Sequence, residues 1–383
     1  MKDFSFFHYP LSTQDKQSLL EASDNIPLSY PLLLDTCLSC SHVFLREIPD
    51  AGSLATLYDQ FYVYPSPLES GIGIERETRF FEFFDDRQPS LWPIAKSVLE
   101  IGCFDGYILA HLAQRGFQVE GCDPSRGADI AIKHGLNVRK TIFRVEEYAS
   151  RGCTFDLILL RHVIEHLPRP DETLAGAARL LRPGGYILLE TPNAEFAIEA
   201  GSIEIFHLEH LHGFTLASLS EVLARAGLNT VTFQATPENL IVAARLGEPR
   251  RRQARPDWEN LCNNFVGEFQ RNVQALAAWM DRFAPRPRRV GIWGGGSSGE
   301  AALSVFNVPP ERVACIVDGD PRKWGMEYVR WPLGISPPER LFDGDIGCVI
   351  IASQYHREIA ERARQMDLKI PMIQLHPTVA LID

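Results

Sequence analysis

The 383-residue sequence predicts an α/β protein, with parallel sheets flanked by helices on both faces. Three observations carry that expectation. Strand-like apolar runs alternate with helical periodicities from about residue 76 to 247, and again from 289 onward. Two of these runs lead straight into glycine turns, Val98-Leu-Glu-Ile-Gly102 and Arg289-Val-Gly-Ile-Trp-Gly294. After each turn, about twenty residues on, another run ends in an acid, Asp123 or Asp318.

Taken in order, residues 1–75 are short aromatic and proline-punctuated pieces outside that alternation, including a Cys37-Leu-Ser-Cys40 pair. Residues 76–247 form the first alternating unit. Residues 248–256 are rich in Arg and Pro and read as a linker. Trp258, Leu261, Phe265, Phe269, Val273, Leu276, Met280 and Phe283 then recur at spacings of three and four. That spacing predicts a long amphipathic helix stopped by Pro285 and Pro287, so linker and helix fill 248–288. Residues 289–383 form a second α/β unit, with strands at Val313–Asp318 and Cys348–Ser353 and a helix from about Glu358.

Composition narrows the function. A net charge of −11, from 49 acids against 38 Lys and Arg, lacks the basic footprint of a general nucleic-acid binder. No apolar stretch reaches membrane-spanning length, and the first residues lack a basic segment followed by an apolar core. The eight cysteines are scattered, as suits a reducing compartment. A soluble cytoplasmic protein with no membrane or nucleic-acid partner is expected; the sequence does not set its oligomeric state.

The first glycine turn is the most specific signal. Gly102 and Gly106 allow a sharp turn and close approach to a ligand. Asp123 ends the next strand, where an acid can take both hydroxyls of a ribose. The spacing Glu100-x-Gly102-x-x-x-Gly106 departs from the dinucleotide G-x-G-x-x-G. It resembles instead the first motif of the class I S-adenosylmethionine (SAM)-dependent methyltransferases. Phe155-Asp-Leu-Ile-Leu-Leu160 resembles that family's fourth strand, and Arg161-His-Val-Ile-Glu-His-Leu-Pro168 the loop beneath the methionine end of the cofactor. Leu180-Leu-Arg-Pro-Gly-Gly-Tyr-Ile-Leu-Leu-Glu190 resembles its helix end, glycine turn and fifth strand.

The resemblance implies a Rossmann-like methyltransferase core with SAM as cofactor. Gly102, Cys103 and Gly106 would then form the turn, while Glu100 braces it or meets the methionine amine. Asp123 would take the ribose and Glu146 the adenine amine, with Arg161 at the methionine end.

The order of small N-terminal domain, methyltransferase core and C-terminal Rossmann-like domain is similar to the sugar C-methyltransferases, which act on nucleotide-linked keto-deoxy sugars. The matching pieces are Tyr30–Leu45, Phe61-Tyr-Val-Tyr64, Phe206-His-Leu-Glu-His-Leu-His-Gly-Phe-Thr215, the Gly294–Gly299 loop with Asp318, and Pro337-Pro-Glu339. C-methylation needs a base for the proton beside a ketone and a donor for the enolate oxygen. Histidine suits the base, since it titrates near neutral pH. The resemblance points to His210 with Glu209, then His166 and His207, with a phenol from Tyr62 or Tyr64. His207-x-Glu209-His210 lacks the helical His-x-x-x-His spacing of a metal pair, so acid–base work is the expectation there.

Gly294, Gly296 and Gly299 fit G-x-G-x-x-G and, with Asp318, imply a nucleotide or phosphate site for the substrate. Two departures stand out. Family members carry two Cys-x-x-Cys pairs around a structural zinc, whereas Cys37 and Cys40 supply half of a tetrahedral set that His8 or His42 would have to complete. His207 stands where the family has Tyr, and His212-Gly213 replaces Ser-Tyr. An O- or N-methyltransferase with the same domain order would also need a histidine base. A nicotinamide-dependent sugar enzyme with an accessory SAM domain is the remote alternative, since no Tyr-x-x-x-Lys follows the second glycine loop.

Overall fold

The computed structural model describes residues 3–5, 29–31, 33–48, 52, 66–207, 209–247 and 257–382. Tyr62 and Tyr64 lie outside them, as does His8. Near the N-terminus β1 (Asp3–Ser5) pairs antiparallel with β2 (Ser29–Pro31). The chain forms two compact units. One comprises residues 34–196 and 209–259; the other comprises 1–33, 197–208 and 260–383.

The first unit opens with a hairpin, β3 (Leu34–Cys37) and β4 (His42–Leu45), then two helices, α1 (Pro67–Ser70) and α2 (Ile74–Leu91). The alternation that follows runs β5 (Ser97–Ile101), α3 (Tyr107–Gln114), β6 (Gln118–Cys122), α4 (Gly127–Lys133), β7 (Val138–Arg139), α5 (Val145–Ala149) and β8 (Phe155–Arg161). It continues through α6 (Pro170–Ala178), β9 (Leu181–Pro192), α7 (Ala194–Ala200), β10 (His212–Gly213), α8 (Leu216–Arg225), β11 (Leu228–Ala235) and β12 (Asn239–Leu246). The sheet order is β11-β12-β9-β8-β5-β6-β7, parallel from β9 through β7 and antiparallel at β11 and β12. Chain order reverses between β5 and β8, so the crevice for a ligand opens at their carboxyl ends.

β5 is buried on both faces, as expected of a central strand in a parallel sheet covered on both sides. Its period of two sends Leu99 and Ile101 to one face, with Ile158, Leu160 and Leu189, and Val98 to the other, with Leu157, Leu159 and Leu188. On that second face α2 contributes Phe80, Phe83 and Phe84, three and four residues apart and fully buried. Phe84→Ala is expected to cost about 3–5 kcal/mol, because it loses transfer energy and leaves a cavity. The denaturant midpoint should fall with the slope unchanged.

In the second unit the expected amphipathic helix is α9 (Trp258–Phe283), and its residues from Asn260 onward belong here. Leu276 and Met280 are buried in one cluster with Val290, Ile292, Ile316 and Ile350. Trp258 instead packs in the first unit, where its indole N–H donates to Thr36 Oγ1 at 2.8 Å. The second sheet holds β13 (Arg289–Trp293), β14 (Val313–Val317), β15 (Ile335–Ser336), β16 (Ile346–Ile351), β17 (Met372–Gln374) and β18 (Ala380–Ile382). Its order is β15-β14-β13-β16-β17-β18, parallel except for β18. The helices of this unit are α10 (Ser297–Ser304) and α11 (His356–Gln365). Among the described residues no helix is long and apolar enough to cross a membrane.

Candidate active site

The glycine turn after β5 needs both glycines. Gly102 (φ 72°) and Gly106 (φ 78°) are left-handed. A Cβ at Gly102 would also sit 2.2 Å from a Val163 methyl, so this glycine lets the turn close on the loop after β8. Between them Phe104 holds φ 46°, a strain of about 1–3 kcal/mol for a side chain other than glycine. Its N–H donates to Asp123 Oδ2 at 2.9 Å, which ties the strained residue to the end of β6. Asp123 Oδ1 accepts from the backbone N–H of Ser125 at 2.8 Å and from its hydroxyl. Burial raises the Asp123 pKa. A carboxylate has about four acceptor positions, so these three bonds leave room for a ribose hydroxyl.

Glu100, at the end of β5, is 3% exposed and its Oε2 has no hydrogen-bond partner among the described residues. Burial pushes its pKa up to about 8, against the pull of Arg161. An orphaned buried carboxyl oxygen beside a glycine turn suits the ammonium of a methionine moiety, which SAM would bring. Cys103 is buried, and burial raises its thiol well above the ordinary range. Glu146 is exposed in the first turn of α5. Asp105 gave no sequence signal, yet it organises the turn. Its carboxylate accepts from Ser66 Oγ at 2.6 Å, Leu68 N at 2.8 Å and Tyr107 N at 3.0 Å, holding α1 against the start of α3.

Arg161 ends β8 inside a buried ion network. Its Nε donates to Glu190 Oε2 at 2.9 Å and its Nη1 to Glu77 Oε2, while the guanidinium lies 4.4 Å from the Phe80 ring centre. Burial favours neutral carboxyls, but Arg161 outweighs it and lowers the pKa of both Glu77 and Glu190. The next residue, His162, is left-handed at φ 51°. Its Nδ1 is 3.5 Å from Glu165 Oε1 and its Nε2 3.7 Å from Glu190 Oε1. Burial opposes its charge, yet the two carboxylates prevail and raise its pKa. The sequence signal for this network was an ionisable residue at each of two adjacent strand ends, Arg161 and Glu190.

His166 and His210 meet although 44 positions separate them in sequence. The His166 Nδ1–H donates to the Glu209 carbonyl at 2.8 Å, which puts the ring's lone pair on Nε2. The two rings are 4.7 Å apart and T-shaped. Ligand-type atoms of Glu165, His166 and His210 lie within 4.8 Å of one another. Glu165 Oε2 also accepts from the Thr191 hydroxyl at 3.0 Å. Glu209 is fully buried, and His207 falls in the other compact unit.

The remaining histidines anchor this segment. β10 pairs with β4, placing His212 opposite Phe44. His212 Nε2 donates to Leu167 O at 3.0 Å, so its Nδ1 accepts from His42 Nε2, also at 3.0 Å. Burial lowers both histidines, His42 to about 3, so the chain is neutral at ordinary pH. His42 Nε2 is thereby engaged with His212. Among the described residues, no third His, Cys, Asp or Glu donor gathers with Cys37 and Cys40.

In the second unit the other glycine loop is closely packed. A Cβ at Gly294 would lie 2.1 Å from Ala352 O, and one at Gly299 2.0 Å from Gly294 O. Gly296 O accepts from the Tyr328 hydroxyl at 2.8 Å. Asp318 Oδ2 accepts from Gly295 N at 2.8 Å and Lys323 Nζ at 2.9 Å. Lys323, absent from the sequence expectation, thus sits at the loop's mouth, 3.9 Å from where a Gly296 Cβ would be.

A doubly wound sheet with this glycine turn and strand-end acid defines a nucleotide-cofactor domain. Comparison with known proteins narrows the class. Residues 75–232 match the family described as "Methyltransferase domain". A Rhizobium etli protein named ubiquinone biosynthesis O-methyltransferase is 34% identical over 119 residues, 30% of this chain and 47% of that one. This chain therefore spans about half the length of the curated relatives it matches. An S-adenosylmethionine-dependent methyltransferase from Clostridium acetobutylicum aligns over 51% of this chain and 98% of its own, with 11% identity and a TM-score of 0.37. The plantazolicin methyltransferase BpumL, solved with SAH, aligns over 51% and 94%, with 16% identity and a TM-score of 0.39. Residues 75–232 are a class I SAM-dependent methyltransferase domain, and SAM is the cofactor of that class.

Proposed function

We propose that this chain methylates a small-molecule acceptor and that His210 and His166 take up the acceptor's proton. The observation that supports this is that Glu165 and His166, in the loop after β8 that packs on the glycine turn through Val163, meet His210 from the segment before β10. When bound, SAM supplies an electrophilic methyl on a sulfonium and leaves as a thioether. The protein's own work is to position the acceptor and accept its proton. In this reading Glu100 meets the methionine ammonium, Asp123 the ribose and Glu146 the adenine, while Arg161 holds the strand ends through Glu77 and Glu190.

We infer further that the acceptor is a nucleotide-linked keto-deoxy sugar methylated at the carbon beside its ketone. The domain order and the Phe206–Thr215 segment support it. In the second unit, the Gly294–Gly296–Gly299 loop with Asp318 is read as a nucleotide or phosphate site. Methylation at oxygen is the second reading, favoured by the name of the Rhizobium etli relative.

Solvent exchange separates the two. With SAM omitted, a nucleotide-linked 4-keto-6-deoxy sugar in D2O is expected to lose the NMR signal of the proton beside its ketone only when the protein is present. Methylation of a hydroxyl without any such exchange would overturn the carbon assignment.

A further inference from the structure

Glu165 is almost completely buried, 1% exposed, yet imidazoles approach it from two sides. On one side is His162, whose Nδ1 lies 3.5 Å from Oε1. On the other are His166 and His210, with donor atoms within 4.8 Å. The Thr191 hydroxyl, from the end of β9, fixes Oε2. Burial of a carboxylate is costly unless it is paired. Here burial would raise its pKa, but His162 and His166 outweigh it and keep the group ionised. The surrounding charges come from several elements: His162 also faces Glu190 and feels Arg76, and Arg161 joins Glu190 to Glu77.

The local fold spends energy to keep this arrangement. His162 occupies a left-handed conformation that costs about 1–3 kcal/mol in a residue other than glycine. That conformation puts its ring between the carboxylates at the ends of β9 and of the loop after β8.

We propose that Glu165 is a positioning residue of the methyl-transfer centre, the buried anion that orients the His166–His210 pair and stabilises its protonated form. The inference rests on the histidine-base reading above. In the reaction the base nitrogen's lone pair takes the acceptor's proton, and the acceptor keeps the electron pair of the broken bond for the new bond to the methyl carbon. The imidazolium so formed lies beside the Glu165 carboxylate, and its proton passes to solvent when product leaves. Glu165 stays ionised throughout, since His162 and His166 beside it hold its pKa down against burial. His162 in turn is bound by Glu190, so the anion is braced from behind rather than neutralised.

The test is direct titration of the imidazoles, which needs no acceptor. Protein labelled with carbon-13 at histidine Cε1 is saturated with S-adenosylhomocysteine and followed by NMR against pH. In Glu165→Gln the titration midpoint of His166, His210 or both is expected to fall by about one unit, a tenfold change in proton affinity. Glu165→Asp should fall in the same direction by less, since the carboxylate is retained but drawn back. A role in packing alone would lower the melting temperature and leave the midpoints where they are. Unmoved midpoints in a folded variant that still binds S-adenosylhomocysteine would overturn the proposal. Glu165→Asp carries the same test should Glu165→Gln fail to fold. Because no turnover is involved, moved midpoints in a protein that methylates nothing offered to it would disprove the acceptor assignment and leave the role of Glu165 standing.

Discussion

His210→Ala is expected to lower turnover by about 10²–10⁴-fold while leaving S-adenosylhomocysteine affinity unchanged. The cofactor turn and the histidine cluster draw on different residues. Glu100, Gly102 and Asp123 belong to β5, its turn and the end of β6, whereas His210 follows the second unit's segment and meets His166 by its ring. His166→Ala should show a loss of similar size. The double variant should be little worse than the poorer single one, because residues that act as a unit lose their effect together. Binding is measured by calorimetry and turnover by the rate of S-adenosylhomocysteine release. A loss confined to KM would assign His210 to acceptor binding instead.

The second large effect concerns Glu100. Its carboxyl is pushed to about 8 by burial, so the folded protein without cofactor holds a proton there at neutral pH. Pairing with the methionine ammonium requires that proton to leave. SAM affinity should therefore rise as pH rises, by up to tenfold per unit, and level off above about 8. Stability of the ligand-free protein runs the other way. The folded pKa lies above the unfolded value of 4.5, so the stabilising contribution is complete below about 4.5 and is lost as pH climbs toward about 8. Glu100→Gln should remove both dependences, binding SAM more weakly at pH 8.5 and unfolding with a flatter pH profile. Calorimetry across pH 6–9, with chemical denaturation in parallel, checks the pair of signs.

The glycine turn was legible in the sequence because its determinants are local. A positive φ at residues 102 and 106 calls for glycine, and an acid closing the next strand falls at the same edge by strand geometry. The long helix was legible for a similar reason, since the apolar period is written along one segment. The histidine cluster was legible only in part. His166 and His210 could be picked as residue types, but their meeting depends on the His166–Glu209 bond and on the β10–β4 pairing. Neither contact leaves a mark in local periodicity.

Buried charge was the least visible feature. Glu77 reads as an ordinary first-turn acid of a surface helix, yet it is 2% exposed because Arg161 draws it under the sheet edge. His162 and Glu165 sat in plain view, but their importance rests on a left-handed backbone and on Glu190, a strand away. The second glycine loop shows the opposite case. Its spacing fits a dinucleotide fingerprint, but Gly294 and Gly299 have steric reasons of their own, and Lys323 already holds Asp318.

The measurement to make is turnover of SAM carrying a carbon-13 methyl, with a nucleotide-linked 4-keto-6-deoxy sugar, by wild type and His210→Ala side by side. A new carbon-bound methyl resonance in the wild type, lost in the variant that still binds S-adenosylhomocysteine, is the predicted result. Equal turnover by the two proteins, or a methyl that stays on the cofactor in a wild type shown to bind both ligands, would contradict it.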